Sequence, residues 1–242
     1  MALAIATNNG ALQAAAASSV NRSMETSMER LSTGMRINSA SDDAAGVAIS
    51  SRLSAEIRGA NQSIRNALDG QSLIDTAEGA HKEVENLLQR MRELAIQAAN
   101  GTNNTDDITN LEAEFTALST EITRIGEVTS FAGKALTGTD STAFAFQVGS
   151  GTASANQISV TINSIKSDKI GTAGGTQLDA VVTAGLDNLT ETNAAIVVID
   201  NAIKEVNTQR SELGAVSNRL NYTVNNLTNI SSNLSSAQGR IE

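Results

Sequence analysis

The sequence predicts a mainly α fold: a long antiparallel, coiled-coil-like helical rod with a small inserted β-hairpin lobe. Three observations predict it. Ile199, Val206, Leu213, Leu220, Leu227 and Leu234 recur every seven residues, and Ile241 continues the series. A sustained seven-residue repeat lays an apolar seam along a helix. Proline is absent from all 242 residues, and aromatics are only 2% although 40% of residues are hydrophobic. Nothing therefore forces a break in a long helix, and the apolar content is the Ala, Leu, Ile and Val of narrow seams rather than the large rings of a globular core. Finally, Phe144, Phe146 and Val148, then Ile158, Val160 and Ile162, alternate with other residues, which is the period of short half-buried strands.

The first helix is expected over residues 2–34, where Leu12, Ala16, Val20, Met24, Met28, Leu31 and Met35 mark one face in steps of three and four. Gly34 is a natural stop, and the polar run Asn38 to Asp43 forms a connection. The second helix starts near Ser41 or Asp42, either of which can cap a first turn, and runs to Ala99. Its seam is Leu53, Ile57, Ala60, Ile64, Ala67, Ile74, Val84, Leu88, Met91, Ala95 and Ala98. At 1.5 Å per residue such a helix is roughly 85 Å long. Gly59, Gly70 and Gly79 weaken it only slightly, by about 1 kcal/mol each.

A third helix begins near Thr105, with Asp106 and Asp107 facing the positive end of its dipole. Leu111, Phe115, Leu118, Ile122 and Ile125 form its buried stripe, and the loop Asn100 to Asn104 folds it back along the second helix. From Ser130 to about Asn188 the chain turns rich in Gly, Thr, Ser and Asp, with the strands above, Ile165 after a break, and a flexible stretch around Gly171 to Gly175. The organisation expected is a terminal helix and connection over 1–40, a helical rod over 41–137 and 189–242, and a variable β-containing insert over 138–188. The insert faces solvent at the end opposite the two chain termini.

Composition excludes several function classes. The net charge is −9, the wrong sign for binding phosphates or an anionic membrane surface. No apolar run approaches the roughly 20 residues that span a bilayer; the longest strictly apolar runs are Met1 to Ala6 and Ala194 to Ile199. The N-terminus has no basic residue before Arg22 and is interrupted by Thr7 to Gly10, so a cleavable signal is not expected. With no cysteine and a single histidine, His81, thiolate metal sites, H-E-x-x-H sites and Cys nucleophiles are not expected. His81 lies on the second helix's seam and reads as a packed side chain. Residues 138–188 contain no His, Cys, Arg or Trp, leaving little for catalysis, so neither an enzyme nor a cofactor is expected. Charged residues such as Glu83, Glu85, Arg90, Arg92 and Glu93 read as a solvated face. The N-x-[ST] stretches at Asn221, Asn226 and Asn229 fall inside the heptad helix and read as accidental.

Three ordered stretches carry a family resemblance. Residues Glu29 to Gly46 (ERLSTGMRINSASDDAAG), Leu88 to Thr102 (LQRMRELAIQAANGT) and Arg210 to Leu220 (RSELGAVSNRL) resemble those of bacterial flagellins, and the likeness covers residues 1–137 and 190–242. It implies a secreted filament subunit, exported unfolded through the flagellar type III channel and packing against other flagellin subunits for motility. Terminal helices would line an inner tube, the rod an outer tube, and the insert would face outward. It also implies innate immune recognition by Toll-like receptor 5, with Gln89, Arg90, Leu94 and Glu114 in the contact patch, Arg90 as hydrogen-bond donor and Leu94 as apolar anchor. A flagellar export chaperone is a further implied partner. The pattern departs from the family after Gln238 to Glu242, where flagellins continue into a helix that pairs with the first one and that the chaperone grips. Within these 242 residues the stripe from Leu12 to Met35 is therefore expected to lie exposed. The alternative is a hook-filament junction protein of the same axial family, in which the stretch Leu88 to Thr102 is expected to diverge.

Overall fold

The computed structural model describes residues 9–138, 141–172 and 175–242. Residues 2–8 of the predicted first helix, Thr139 and Asp140 of the insert, and Ala173 and Gly174 of the predicted flexible stretch lie outside the described residues. The elements in order are α1 (Asn9–Thr33), α2 (Ala44–Ala98), α3 (Thr105–Val128), β1 (Ser130–Phe131), β2 (Lys134–Ala135), β3 (Ser141–Gln147), β4 (Gln157–Asn163), α4 (Leu178–Ala184) and α5 (Leu189–Ile241). The fold is mainly α with the β3–β4 hairpin that the central alternation predicts; a second small antiparallel hairpin, β1–β2, is not predicted and falls within the expected rod range. Among the described residues two compact units form, one from residues 9–61 and 229–242, the other within residues 62–228.

In the first unit, α1 stops where Gly34 takes a φ of +72° and returns its N–H to the carbonyl of Arg30 at 2.9 Å; a left-handed residue there costs least as glycine. The Asp42 carboxylate accepts from the backbone N–H groups of Ser39 at 2.9 Å and Asn38 at 3.1 Å. Those two donors hold its carboxyl below the ordinary aspartate value. Asp42 is thus committed to the preceding turn. The cap of α2, expected at Ser41 or Asp42, falls instead to Asp43, whose Oδ1 accepts from the Gly46 N–H at 2.9 Å. Gln238 Nε2 donates to Ser50 at 3.3 Å and to the Glu242 carboxylate at 2.8 Å, while Ser231 donates to Asn61 at 3.0 Å. Low numbers on α2 thus meet high numbers on α5, so the two run antiparallel here. Along α1, Leu12, Val20, Met24, Met28 and Leu31 are 58–83% exposed.

The second unit has two cores. One gathers Val84, Leu88, Met91, Leu94, Ala95 and Ala98 of α2, Phe115 and Ile122 of α3, and Ala195 to Val206 of α5. Ile165, Ile170, Leu178, Val181 and Leu186 complete it, so the polar-looking central segment packs into the helical core. α4 escapes the sequence reading because its seven residues are fewer than two helical periods of about 3.6 residues each. The other core joins Ala67, Ile74 and Ala77 of α2 to Leu213 and Leu220 of α5 and to the β3–β4 hairpin. Phe144 pairs with Val160 and Phe146 with Ile158, so one face of the hairpin presents the predicted alternating residues. A Cβ on Gly70 would meet the Phe146 ring at 3.0 Å; that glycine lets the hairpin lie close against α2.

Candidate binding surface and helix seam

α3 opens with a capping box: Asn104 Oδ1 accepts from the Asp107 N–H at 2.8 Å, and the Asp107 carboxylate accepts from the Asn104 N–H at 3.1 Å. Satisfying these otherwise unpaired donors pins the start of the helix. With that start set, Phe115 points into the core and its neighbour Glu114 faces outward, opposite Arg90 of α2.

Arg90 is the hub of the outward face. Its Nε and Nη2 donate to Glu114 Oε1 at 2.9 and 2.8 Å, and its Nη1 donates to Glu93 Oε2 at 3.0 Å. The hydrogen bonds it donates to Glu114, then to Glu93, raise the guanidinium above its already high ordinary value. All three side chains are 44–68% exposed, so the cluster adds little stability but offers a fixed, charged, planar group to a partner. Gln89 is exposed beside it.

Leu94 requires a correction. It is 1% exposed and belongs to the core with Met91, Ala95 and Phe115, so it is not available as a surface anchor. Four residues advance an α-helix by one turn plus about 40°, enough to carry Leu94 from the face of Arg90 to the inner side. The exposed large apolar residue of this stretch is Ile96. The spacing Met91, Leu94, Ala98 already carried that signal.

The predicted seam lies on α5. Ile199, Val206, Leu213, Leu220 and Leu227 are buried and Leu234 is half-buried. Polar contacts flank it: Arg92 donates to Asp200 at 2.6 Å, and Arg210 pairs with Glu85 and, at 3.7 Å, with Glu78. Both tie α2 to α5 in antiparallel order within the second unit. Glu85, read from sequence as part of a solvated face, is largely withdrawn from water by Arg210; nothing in the local spacing distinguishes it from Glu83. Among the described residues, no helix is long and apolar enough to cross a membrane.

Comparison with known proteins agrees with this architecture. The family model for the bacterial flagellin N-terminal helical region matches residues 5–142, and that for the C-terminal helical region matches residues 196–242. A flagellin of Halalkalibacterium halodurans is 44% identical over 214 residues, covering 88% of this chain and 75% of that protein. A flagellin of Bacillus subtilis is 41% identical over 249 residues, covering 93% and 81%. The crystal structure of Bacillus cereus flagellin superposes with a TM-score of 0.54 at 30% identity, covering 72% of this chain and 94% of that one. With both terminal helical regions matched and these identities over most of its length, the chain belongs to the bacterial flagellin family, the structural proteins of the extracellular flagellar filament.

Proposed function

We propose that this chain is a filament subunit, secreted through the flagellar type III route with an export chaperone and self-assembling with other copies for motility. The carrying observation is the α1 stripe, whose large apolar side chains are more exposed than covered. A contiguous apolar stripe of this kind is a packing surface. In this reading residues 1–40 lie toward the inside of the filament, 41–137 and 189–242 form the outer packing layer, and 138–188 face outward. The test is elongation of sheared native filaments by purified protein, followed by electron microscopy. Wild type is expected to elongate them, and the double variant Met24→Asp with Met28→Asp to stop elongation while helicity is retained. Elongation by the variant at the wild-type rate would remove the stripe from assembly. Wild-type protein that caps seeds without elongating them would favour the hook-filament junction alternative.

A second reading rests on the Arg90 hub. Recognition by Toll-like receptor 5 would use Gln89, Arg90 and Glu114, with Leu94 contributing from beneath as support for the α2 surface. Arg90→Asp places a third carboxylate beside Glu93 and Glu114, reversing the charge offered to the receptor. Signalling in receptor-expressing cells is expected to fall at least about tenfold, which corresponds to roughly 1.4 kcal/mol of binding. Circular dichroism is expected to stay unchanged, because the cluster is exposed. Unaltered signalling would take Arg90 out of the contact.

A further inference from the structure

His81 is the chain's one histidine, and it sits fully buried on the inner side of α2. Its Nδ1 lies 2.7 Å from the carbonyl of Ala77, one helical turn back. That oxygen can only accept, so Nδ1 carries the proton and donates it. Nε2 is then the bare nitrogen, and it has neither a hydrogen-bond partner nor contact with water. A second proton must therefore arrive at an atom with nothing to share it.

The surroundings oppose that proton. On α5, Arg210 stands near the ring and is itself cationic; on α2, Glu78 is the nearby carboxylate, and both it and Glu85 are drawn to Arg210. Beside the ring lies a cavity of about 520 Å³ that Lys204, Glu205 and Glu212 of α5 and Lys169 of the segment after β4 also line. Glu205 is held there by the Gly171 N–H at 2.9 Å. His81 borders this cavity together with the carboxylates of Glu205 and Glu212, while its Nε2 has no hydrogen-bond partner.

We propose that the α2–α5 seam at His81 is an acid-opened latch: the neutral ring closes it, and protonation at Nε2 loosens the packing of this part of the second unit. Burial holds His81 below the ordinary imidazole value; the hydrogen bond to Ala77 opposes it, and the weaker effects of the Arg210 and Glu78 charges pull in opposite directions. With the folded value depressed, the unfolded chain binds the proton first as pH falls. Stability is full above about pH 6.5, the unfolded value, and declines below it until the folded value is passed.

Two measurements on the full chain test this. The single histidine gives one imidazole signal in a proton–carbon NMR titration, and its midpoint is expected below the ordinary value. A midpoint at or above the ordinary value overturns the proposal. Thermal melts at pH 7.5 and pH 5.0 are then compared for wild type and His81→Gln, which cannot titrate in this range. Wild type is expected to lose about 2–4 °C more than the variant on acidification, with amide exchange rising on both sides of the seam. Equal losses in the two proteins overturn the latch. Should His81→Gln fail to fold, His81→Leu takes its place in the melts, and the wild-type titration and exchange decide on their own.

Discussion

Leu220→Asp abolishes cooperative folding of the second unit at room temperature. Leu220 is 0% exposed and lies in the core that joins α2, α5 and the β3–β4 hairpin. Removing its side chain alone costs about 2–5 kcal/mol. The carboxylate adds the penalty of a buried charge without a partner, or of shifting its own titration to become neutral. Natural domains hold only about 5–15 kcal/mol in total, so most of the stability is lost. Urea unfolding followed by circular dichroism is the measurement. A midpoint within error of wild type would mean that the α5 seam does not pack as the structure has it. The same substitution at Leu234 is an internal control. It occupies the same place in the seven-residue repeat but is only half-buried, so its cost is expected to be well below that of Leu220.

Phe115→Ala is expected to lower stability by about 3–5 kcal/mol. The chain has only four phenylalanines, one tyrosine and no tryptophan, and Phe115 is the aromatic ring of the core that α2, α3 and α5 share. Its neighbours there are held by long helices, which cannot easily collapse into the space of a missing ring. A fall in the urea midpoint with an unchanged slope would report lost packing rather than a changed unfolded state. A shift under about 1 kcal/mol would mean that the helices close over the gap. Phe115→Leu restores much of the volume and should recover most of the loss.

The features legible in the sequence are those set by local periodicity. The repeat from Ile199 to Leu234, the strand alternation at Phe144 to Val148 and Ile158 to Ile162, and the start of α3 at Thr105 all appear where the spacing places them. Each depends on neighbours within about two helical turns or one strand pleat. The Arg90 hub was half legible: Glu93 stands three residues on, on the same helix face, whereas Glu114 reaches it only because the capped turn at Asn104 returns α3 alongside α2.

Tertiary structure decided the remainder, because burial of a polar or borderline residue depends on what crosses it from far along the chain. Asp42 and Asp43 are equivalent as caps by residue type, and the turn at Asn38 and Ser39 chooses between them. Glu83 and Glu85 look alike until Arg210 approaches one of them. Leu94 lies next to an outward patch in sequence, yet the rotation of about 40° between residues four apart, with α3 packed on that side, sends it to the core. The polar central segment sends Ile165, Ile170 and Leu178 into the same core, a result that composition alone conceals. Residue type and spacing thus set which faces are apolar. The partner that each face meets comes from the return of α3 and α5 along α2, and that return settles which charges are paired between helices.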